Sequence, residues 1–439
     1  MTSQPSNQTT GSGFQWWYLI SFCFGFLWPA MFFVLTQTYV LDVTGSAADA
    51  GLIMAMIGLG AVAAPVFGSL ADRYRAHRPI QIFAIILVIL GMLLMGFAQD
   101  PLFFVLAAIM VGVGLAPVSM VNNVYVVAAG LSPENEAAAL GWVQRMMFAG
   151  VILGGFAIGG LLQLQKQGVV SYAALFLISA GVMGVSLLLA IFATREVAAR
   201  VAKLAVQRAE KALADAPPGK FSLGDLLKST FGLGMLVVFL THVGWIGIAG
   251  QYVNFLNGAF GVNPSVASSI NSVAVFLSLF TIGFTGKWLG RAGPVPVLTV
   301  GMIGRIIGAL AFLAVTWFVG GGGAALGATM ALIIWVVLRL INPFTEMGNP
   351  VLAARTAMGG AAQAQALMIA VFALAISMGN ILGGQIAQRI GWNAVPFQTI
   401  LFIALAWLVM HFGVRPRMEP GGGQPDPEML AAERAVESA

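Results

Sequence analysis

The chain has 439 residues, of which 59% are hydrophobic and only 8% are charged. Soluble domains carry about 25% charged residues, so this composition excludes an ordinary water-soluble protein and indicates that lipid is the main solvent of the chain. The net charge of +5 could suggest a nucleic-acid partner, but membrane topology accounts for the basic residues, so we expect no nucleic acid. A single cysteine, Cys23, excludes an intramolecular disulfide and is expected to be a buried thiol.

The chain begins with a polar segment, residues 1–13, that lacks the basic region of a signal peptide. The first apolar run follows at once, from Phe14 to Val40, and is long enough to remain in the protein as a helix. We therefore predict a cytoplasmic N-terminal tail over residues 1–13, directly followed by the first membrane helix.

Apolar runs recur along the whole chain. A bilayer core about 30 Å thick needs about 20 apolar residues in each crossing helix. Residues typical of turns, such as Gln99-Asp100-Pro101, separate the runs. The sequence therefore predicts an all-α membrane protein with twelve transmembrane helices, at about 15–41, 48–70, 79–98, 101–130, 137–164, 170–194, 230–257, 264–286, 295–319, 324–352, 361–387 and 394–414.

Basic residues favour one side of these helices. Twelve crossings place both termini on the same side, and 16 of the 21 Lys and Arg residues then fall in segments on that side. Only Lys166 and Arg389 fall on the other side, while Arg145, Arg305 and Arg339 lie within helices. Because cytoplasmic loops are enriched in Lys and Arg, we predict a multi-pass inner-membrane protein with both termini in the cytoplasm.

The fifth run contains a polar pair, Gln144 and Arg145. Both are candidate substrate-binding residues, although Arg145, roughly 12 Å from the predicted cytoplasmic end, could instead extend its side chain to the membrane surface. The same run carries two pairs of glycines four residues apart, Gly150 with Gly154 and Gly155 with Gly159, a spacing that lets helix backbones approach closely. These glycines predict packing between the fifth helix and its counterpart.

The longest linker, residues 195–229, separates six runs from six. Its first part places Val197, Val201, Leu204 and Ala205 on one helical face, with basic residues around them. Such a segment can form a surface helix on an anionic leaflet, or it can be a solvated connector. The sequence leaves both readings open.

The tenth run carries charged and polar residues in its middle. Arg339, Asn342, Glu346 and Asn349 share a wedge of about 80° on a helix, and apolar residues fill the other faces. A charge facing lipid at mid-bilayer costs about 2.5–3.5 kcal/mol, so these side chains should line a water-filled cavity. We predict that Arg339, Asn342 and Asn349 bind substrate there.

Two prolines strengthen this prediction. Pro343 and Pro350 lack the N–H groups that would bond the carbonyls of Arg339 and Glu346, so both carbonyls need another partner. Glu346 is the only acid well within a run, and we predict that it exchanges protons during transport. In the alternative interpretation, Arg339 and Glu346 only neutralise each other.

Two more titratable residues lie within runs. We assign Arg305 in the ninth run a structural or inter-helix role, and we expect His242 in the seventh run to be a packed histidine and not a proton carrier. Three arginines against one glutamate make the intramembrane charge positive. This balance favours an anionic or zwitterionic substrate.

The two halves of the chain repeat one another. Gly68 after the second run matches Gly283 after the eighth, and the fourth and tenth runs each contain a proline followed six residues later by an asparagine. Glycine pairs close both the fifth and the eleventh run. We therefore predict two pseudo-symmetric six-helix bundles, at 14–194 and 230–414, with a cytoplasmic C-terminal tail at 415–439.

The segment after the second run, G-S-L-A-D-R-Y-R-A-H-R, resembles the signature loop of the major facilitator superfamily. The resemblance implies a secondary transporter whose halves rock about a central site at the membrane midplane. It also implies a gating loop of Gly68, Asp72, Arg73 and Arg78, in which Asp72 ties the halves together in the outward-facing state. Arg75 stands where the family has glycine, and the alternative is that these charges serve only membrane topology.

The glycine-rich part of the fifth run, G-V-I-L-G-G-F-A-I-G-G, resembles a motif of the drug/proton antiporter branch, with Gly155 in place of the usual proline. The arginine that this branch carries in its fourth helix is absent here, near Ala108. In the family, helices 1, 4, 7 and 10 line the cavity. This implies three further substrate-binding candidates: Gln37, Asn123 and Asn254.

Three functions remain open. The antiporter-like features favour proton-coupled efflux of a small organic solute. The missing arginine and the positive intramembrane charge favour instead a proton symporter that imports an organic anion, and a non-transporting assembly factor is a third alternative. The sequence contains no P-loop, metal-ligand cluster or nucleophile motif, so we expect neither an enzyme nor a cofactor or metal. The expected partners are a small-molecule substrate, protons and membrane lipid, and we expect a monomer.

Overall fold

A computed structural model describes residues 13–127, 129, 131, 133–212, 229–319, 324–356 and 361–418. Within these ranges the chain is helical and has no strand. The described residues include twelve helices long and apolar enough to cross a membrane, which confirms the predicted number. In chain order they are α1 Trp16–Thr44, α2 Ala47–Ala71, α3 His77–Phe97, α4 Pro101–Val126, α5 Ala138–Lys166, α6 Tyr172–Phe192, α7 Thr230–Ala249, α8 Pro264–Ala292, α9 Pro294–Trp317, α10 Ala325–Arg355, α11 Leu367–Arg389 and α12 Trp392–Met418.

Two shorter helices lie outside these spans. A short helix, Tyr252–Phe260, follows α7 after a break at Gly250 and Gln251. The linker helix, Arg195–Ala212, follows α6. Its Val201 is buried and its Val197 packs against the core of the first six helices, so the protein itself covers part of the apolar face of this helix.

The interior of α1 departs from regular α geometry. Residues Trp28–Thr36 form a π-helical segment with Pro29 near its start. Proline has no N–H, and its ring crowds the carbonyl four residues earlier, so a wider turn accommodates Pro29 without ending the helix. Such π segments are frequent at functional sites.

The two six-helix halves meet along two helix pairs, α2 with α11 and α5 with α8. Small residues permit this close approach: a Cβ at Gly155 would overlap the hydroxyl of Ser272, and Ser268 Oγ donates a hydrogen bond of 2.8 Å to the Gly155 carbonyl. Gly150 and Gly154 pack in the same way against α1, at Phe22 and Phe26. The predicted role of these glycines in close packing is confirmed, but their partners are α1 and α8 and not α11, the counterpart of α5 in the second half.

We call the end of the bundle where α1 begins the terminus end, and the opposite end the far end. Several contacts between the halves lie toward the far end. Gln37 in α1 donates to the Gly250 carbonyl, Asn254 Nδ2 donates to the Gln37 carbonyl at 3.3 Å, and the Ala47 N–H donates to Gln388 Oε1 at 2.9 Å. The far end is therefore held shut by hydrogen bonds between the halves.

Candidate functional site

A cavity of about 660 Å³ lies between the two halves. Its volume falls within the range of about 300–1,000 Å³ that is usual for small-molecule sites. Helices α1 and α5 wall it on one side, and α7, α8, α10 and α11 wall it on the other. The wall of the second half carries almost all of the polar groups.

The polar stripe of α10 faces this cavity. Arg339, Asn342 and Glu346 lie on the wall, together with Pro343 and Met347. The helix is continuous through both of its prolines. Water in the cavity can therefore solvate the charges that lipid could not, as the sequence predicted.

Asn349, the fourth member of the predicted stripe, does not lie on the cavity wall. Its side chain is buried, and neither amide atom has a hydrogen-bond partner. Asn349 lies at the edge of the predicted wedge and about one turn beyond Glu346. The helical wheel gives the direction of a side chain, but the neighbouring helices decide where the cavity ends.

Glu346 lies between two basic side chains from other helices, an arginine and a histidine. Its Oε1 is 3.8 Å from Arg305 Nη2 in α9 and 3.7 Å from His242 Nε2 in α7. The Glu346 side chain is nevertheless 43% exposed, and it lines the cavity. These are ion-pair distances and not hydrogen bonds, so the carboxylate can still accept a hydrogen bond from a ligand or from water.

Arg305 joins α9 to α10, in line with the inter-helix role predicted for it. The side chain is completely buried, and its Nη2 donates a hydrogen bond of 2.6 Å to Asn342 Oδ1. The guanidinium also lies 4.5 Å from the ring centroid of Trp245, a cation–π contact. The three partners, Asn342, Glu346 and Trp245, together stabilise a charge that is buried behind the cavity wall.

His242 has two different environments at its ring nitrogens. Nδ1 lies 2.8 Å from the Val238 carbonyl, which only accepts hydrogen bonds, so Nδ1 carries a proton. Nε2 faces Glu346 and has no hydrogen-bond partner. The ring is buried and packs against Phe372, as expected of a packed histidine, but the sequence did not show that it lies beside Glu346.

Arg339 is not the partner of Glu346. Within the described part of the chain, no carboxylate lies within 4.0 Å of Arg339, and its Nε has no hydrogen-bond partner. Its guanidinium lies 5.9 Å from the ring centroid of Trp335. The interpretation in which Arg339 and Glu346 only neutralise each other is therefore not supported by the geometry.

A column of parallel aromatic rings supports the charged wall. Trp245 and Trp335 stack with centroids 5.9 Å apart, and Tyr252 and Trp335 stack with centroids 4.7 Å apart. Trp335 Nε1 donates to Asn271 Oδ1 at 3.3 Å. Sequence reasoning missed this column, because its members come from α7, from the short helix after the break and from α10.

The wall of the first half is apolar. Trp28, Pro29 and Phe33 come from the π segment of α1, and Met147, Phe148 and Val151 come from α5. Gln144 supplies the polar side chain that the first half contributes to the described wall. Of the predicted residues in α5, Gln144 lies on the wall and Arg145 does not.

Four other predicted substrate-binding residues lie away from the cavity. Arg145 is exposed, with its guanidinium 5.4 Å from the Trp142 ring, and Asn123 is exposed elsewhere on α4. Gln37 and Asn254 are buried in the contact between the halves at the far end. The expectation that helices 1, 4, 7 and 10 line the cavity is wrong for α4, because α5, α8 and α11 approach the centre instead.

The predicted gating loop follows α2 at the terminus end. Arg78 Nη2 donates to the Ile191 carbonyl at 2.5 Å and thereby caps the last turn of α6. Arg73 is exposed beside Tyr74, and a Cβ at Gly68 would come 3.1 Å from Met120 Sδ in α4. The side chain of Asp72 lies outside the described residues.

Twelve membrane-crossing helices around a central cavity with charged groups on its wall are the architecture of a membrane transport protein. A sequence profile of the Major Facilitator Superfamily matches residues 17–338. The chain therefore belongs to the major facilitator superfamily, whose members are transporters and not enzymes.

Individual relatives agree with this assignment. The chain is 28% identical over 335 residues to the multidrug resistance protein MdtG of Citrobacter koseri, across 70% of this chain and 78% of the relative. Two solved structures share the fold. The nucleoside transporter NupG has a TM-score of 0.67 and 16% sequence identity, over 92% of this chain and 98% of that one. A D-xylose-proton symporter has a TM-score of 0.66 and 14% sequence identity, over 93% of this chain and 97% of that one.

Proposed function

We propose that the protein exports a small organic solute across the inner membrane in exchange for protons. Glu346 carries this proposal: it is the acid on the described cavity wall, and the Arg305 guanidinium and the His242 imidazole lie within 4 Å of it. A carboxylate in this position can lose or gain a proton as the cavity opens to either side. The similarity to a protein named for multidrug resistance supports export.

We further propose that the termini and the terminus end of the bundle face the cytoplasm. The basic residues of the linker helix, of the segment after α2 and of the ends of α8 and α10 lie at the terminus end, as the distribution of charges in membrane proteins favours. Since the far end is held shut, the cavity then receives its substrate from the cytoplasm, and the loop from Gly68 to Arg78 acts as the gate on that side.

A second function, proton-coupled import of an organic anion, is favoured by Arg339, which has no carboxylate within 4.0 Å among the described residues. The two functions differ in the direction of proton movement. Protonation of Glu346 makes the cavity more positive, so a purely anionic substrate binds more tightly with the proton, and the two move together. An exporter needs a substrate that the proton displaces.

The test uses purified protein in liposomes that contain a pH-sensitive dye, with a panel of drugs, sugars and organic acids added outside. An exchanger should move protons opposite to the transported compound, whereas a symporter should move them with it. Glu346→Gln should abolish the proton flux, and Asp100→Asn, which changes an acid outside the cavity, should retain it. Proton flux that persists in Glu346→Gln would refute the assignment of Glu346.

A further inference from the structure

We infer that the cavity takes an elongated amphipathic zwitterion, with its acid group at Arg339, its ammonium group at Glu346 and its apolar body against α1 and α5. This inference rests on the proposed function, because it assigns a substrate class to the same cavity. Three separate features of the wall carry it: an open cationic group, an open anionic group and an apolar surface opposite both.

The first feature is the pair of available charges on α10. Arg339 has no carboxylate within 4.0 Å among the described residues, and Glu346 is held only at ion-pair distance while its side chain remains 43% exposed. Seven residues separate them, which corresponds to a rise of about 10 Å along the helix. A ligand with one charge would engage only one of these two groups, whereas a zwitterion engages both.

The second feature is the position of Arg305. Its charge is completely buried behind the wall and is bonded to Asn342, so it is not offered to a ligand. The charges that the described wall presents to the cavity are therefore one positive, at Arg339, and one negative, at Glu346. The total of three intramembrane arginines overstates the positive character of the site.

The third feature is the asymmetry of the two walls. Trp28, Phe33, Met147 and Phe148 are partly exposed on the side of the first half. Gln144 is the polar side chain that interrupts this surface. Aromatic and methionine side chains can cover apolar bodies of different shapes, so the wall selects an apolar body without fixing its outline.

This arrangement also determines whether protons and substrate move in the same direction or in opposite directions. A proton on Glu346 removes the charge that holds the ammonium group, so the proton and the zwitterion compete for the same carboxylate. Competition of this kind is what exchange requires, whereas a purely anionic substrate would bind together with the proton. A zwitterion thus reconciles export with an arginine on the wall.

The test compares three matched probes on the purified full-length protein in lipid nanodiscs, by titration calorimetry. The zwitterion is 4′-(aminomethyl)biphenyl-4-carboxylate. In the acid-only probe a methyl group replaces the aminomethyl group, and in the amine-only probe a methyl group replaces the carboxylate. The zwitterion should bind at least about tenfold more tightly than either of the others, as one additional ion pair in a partly desolvated site predicts.

Variants then assign each charge. Glu346→Gln should reduce the affinity for the zwitterion to that for the acid-only probe, and Arg339→Gln should reduce it to that for the amine-only probe. Asp100→Asn and Arg145→Gln, which alter charges away from the wall, should keep the tenfold preference. On the unmodified protein, equal affinity for the zwitterion and either single-charge probe, or no binding of the zwitterion, would overturn the inference.

Failure of the proposed function and failure of the site assignment give different experimental results. Binding is measured without a pH gradient, so a preference for the zwitterion without proton-driven flux would refute exchange and leave the site assignment intact. Proton-driven flux of another compound, with no binding of the zwitterion, would refute the site assignment and leave exchange intact.

Discussion

Arg305 illustrates how a single side chain can carry a buried charge in this membrane protein. It is completely buried, yet it bonds Asn342, lies near Glu346 and stacks on Trp245. A buried charge is tolerated only when such partners compensate its lost hydration. Removing the Glu346 carboxylate alone should therefore lower the stability of the protein more than removing the charges of Glu346 and Arg305 together.

Stability measurements can test this coupling. Glu346→Gln should lower the stability of the protein, because it leaves the buried Arg305 without its carboxylate, and adding Arg305→Met should recover about 1–3 kcal/mol. The measurement is unfolding followed by tryptophan fluorescence. Adding Arg339→Met to Glu346→Gln is the matched control and should recover nothing, because no carboxylate lies within 4.0 Å of Arg339 among the described residues.

Arg75 is a second residue for which the structure supports a prediction, here from its backbone conformation. It has a φ of 54°, the left-handed conformation that side chains other than glycine rarely adopt. The family resemblance placed a glycine here, and the backbone explains why. Arg75→Ile should destabilise the protein by about 1–2 kcal/mol, because a branched Cβ crowds the carbonyl in this conformation.

The same loop supplies the control for this prediction. Arg73→Ile removes an exposed charge at an ordinary φ and should have a smaller effect on the midpoint of thermal unfolding. Arg75→Gly should be tolerated. Equal destabilisation by Arg73→Ile and Arg75→Ile would show that charge, and not backbone conformation, decides the effect.

At the scale of elements, α5 carries one glycine in tight contact with another helix and one glycine without such a contact. Gly155 lies against Ser272 of α8, whereas a Cβ at Gly160 would have no neighbour within 4 Å. Gly155→Val should therefore push α5 away from α8, weaken the closure of the far end and lower thermal stability. Gly160→Val places the same side chain on the same helix and should leave both unchanged.

Spin labels on α5 and α8 at the far end can measure this closure. Their mean distance should increase in Gly155→Val and not in Gly160→Val. An unchanged distance in Gly155→Val, together with unchanged stability, would show that α8 can adjust to a larger residue and that the glycine is not required for the contact.

The whole molecule has a closed end and a cavity between its halves, so accessibility should depend on the side of the membrane. In a Cys23→Ser background, Gln144→Cys on the cavity wall should react with a membrane-impermeant thiol reagent in inside-out vesicles. Gln167→Cys, in the exposed turn at the far end, should react only in right-side-out vesicles. Reaction of Gln144→Cys only in right-side-out vesicles, together with reaction of Gln167→Cys only in inside-out vesicles, would reverse the proposed orientation.

Much of the architecture could be predicted because the signals are local. Hydropathy and turn residues identified the twelve helices, and helical periodicity brought Arg339, Asn342 and Glu346 to one face of α10. Asn349 marks where this reasoning ends: it lies at the edge of the same wedge but away from the cavity wall. The period of a helix says nothing about what its neighbours cover.

The sequence by itself therefore determined the membrane helices, the division into two halves and the polar stripe of α10. Only the tertiary structure decided that Arg305 and His242, and not Arg339, lie beside Glu346. It also decided that α5, α8 and α11 line the cavity while α4 does not. The reason is physical: crossing a membrane constrains each helix separately, whereas the partners of a side chain depend on the packing of helices that lie far apart in the chain.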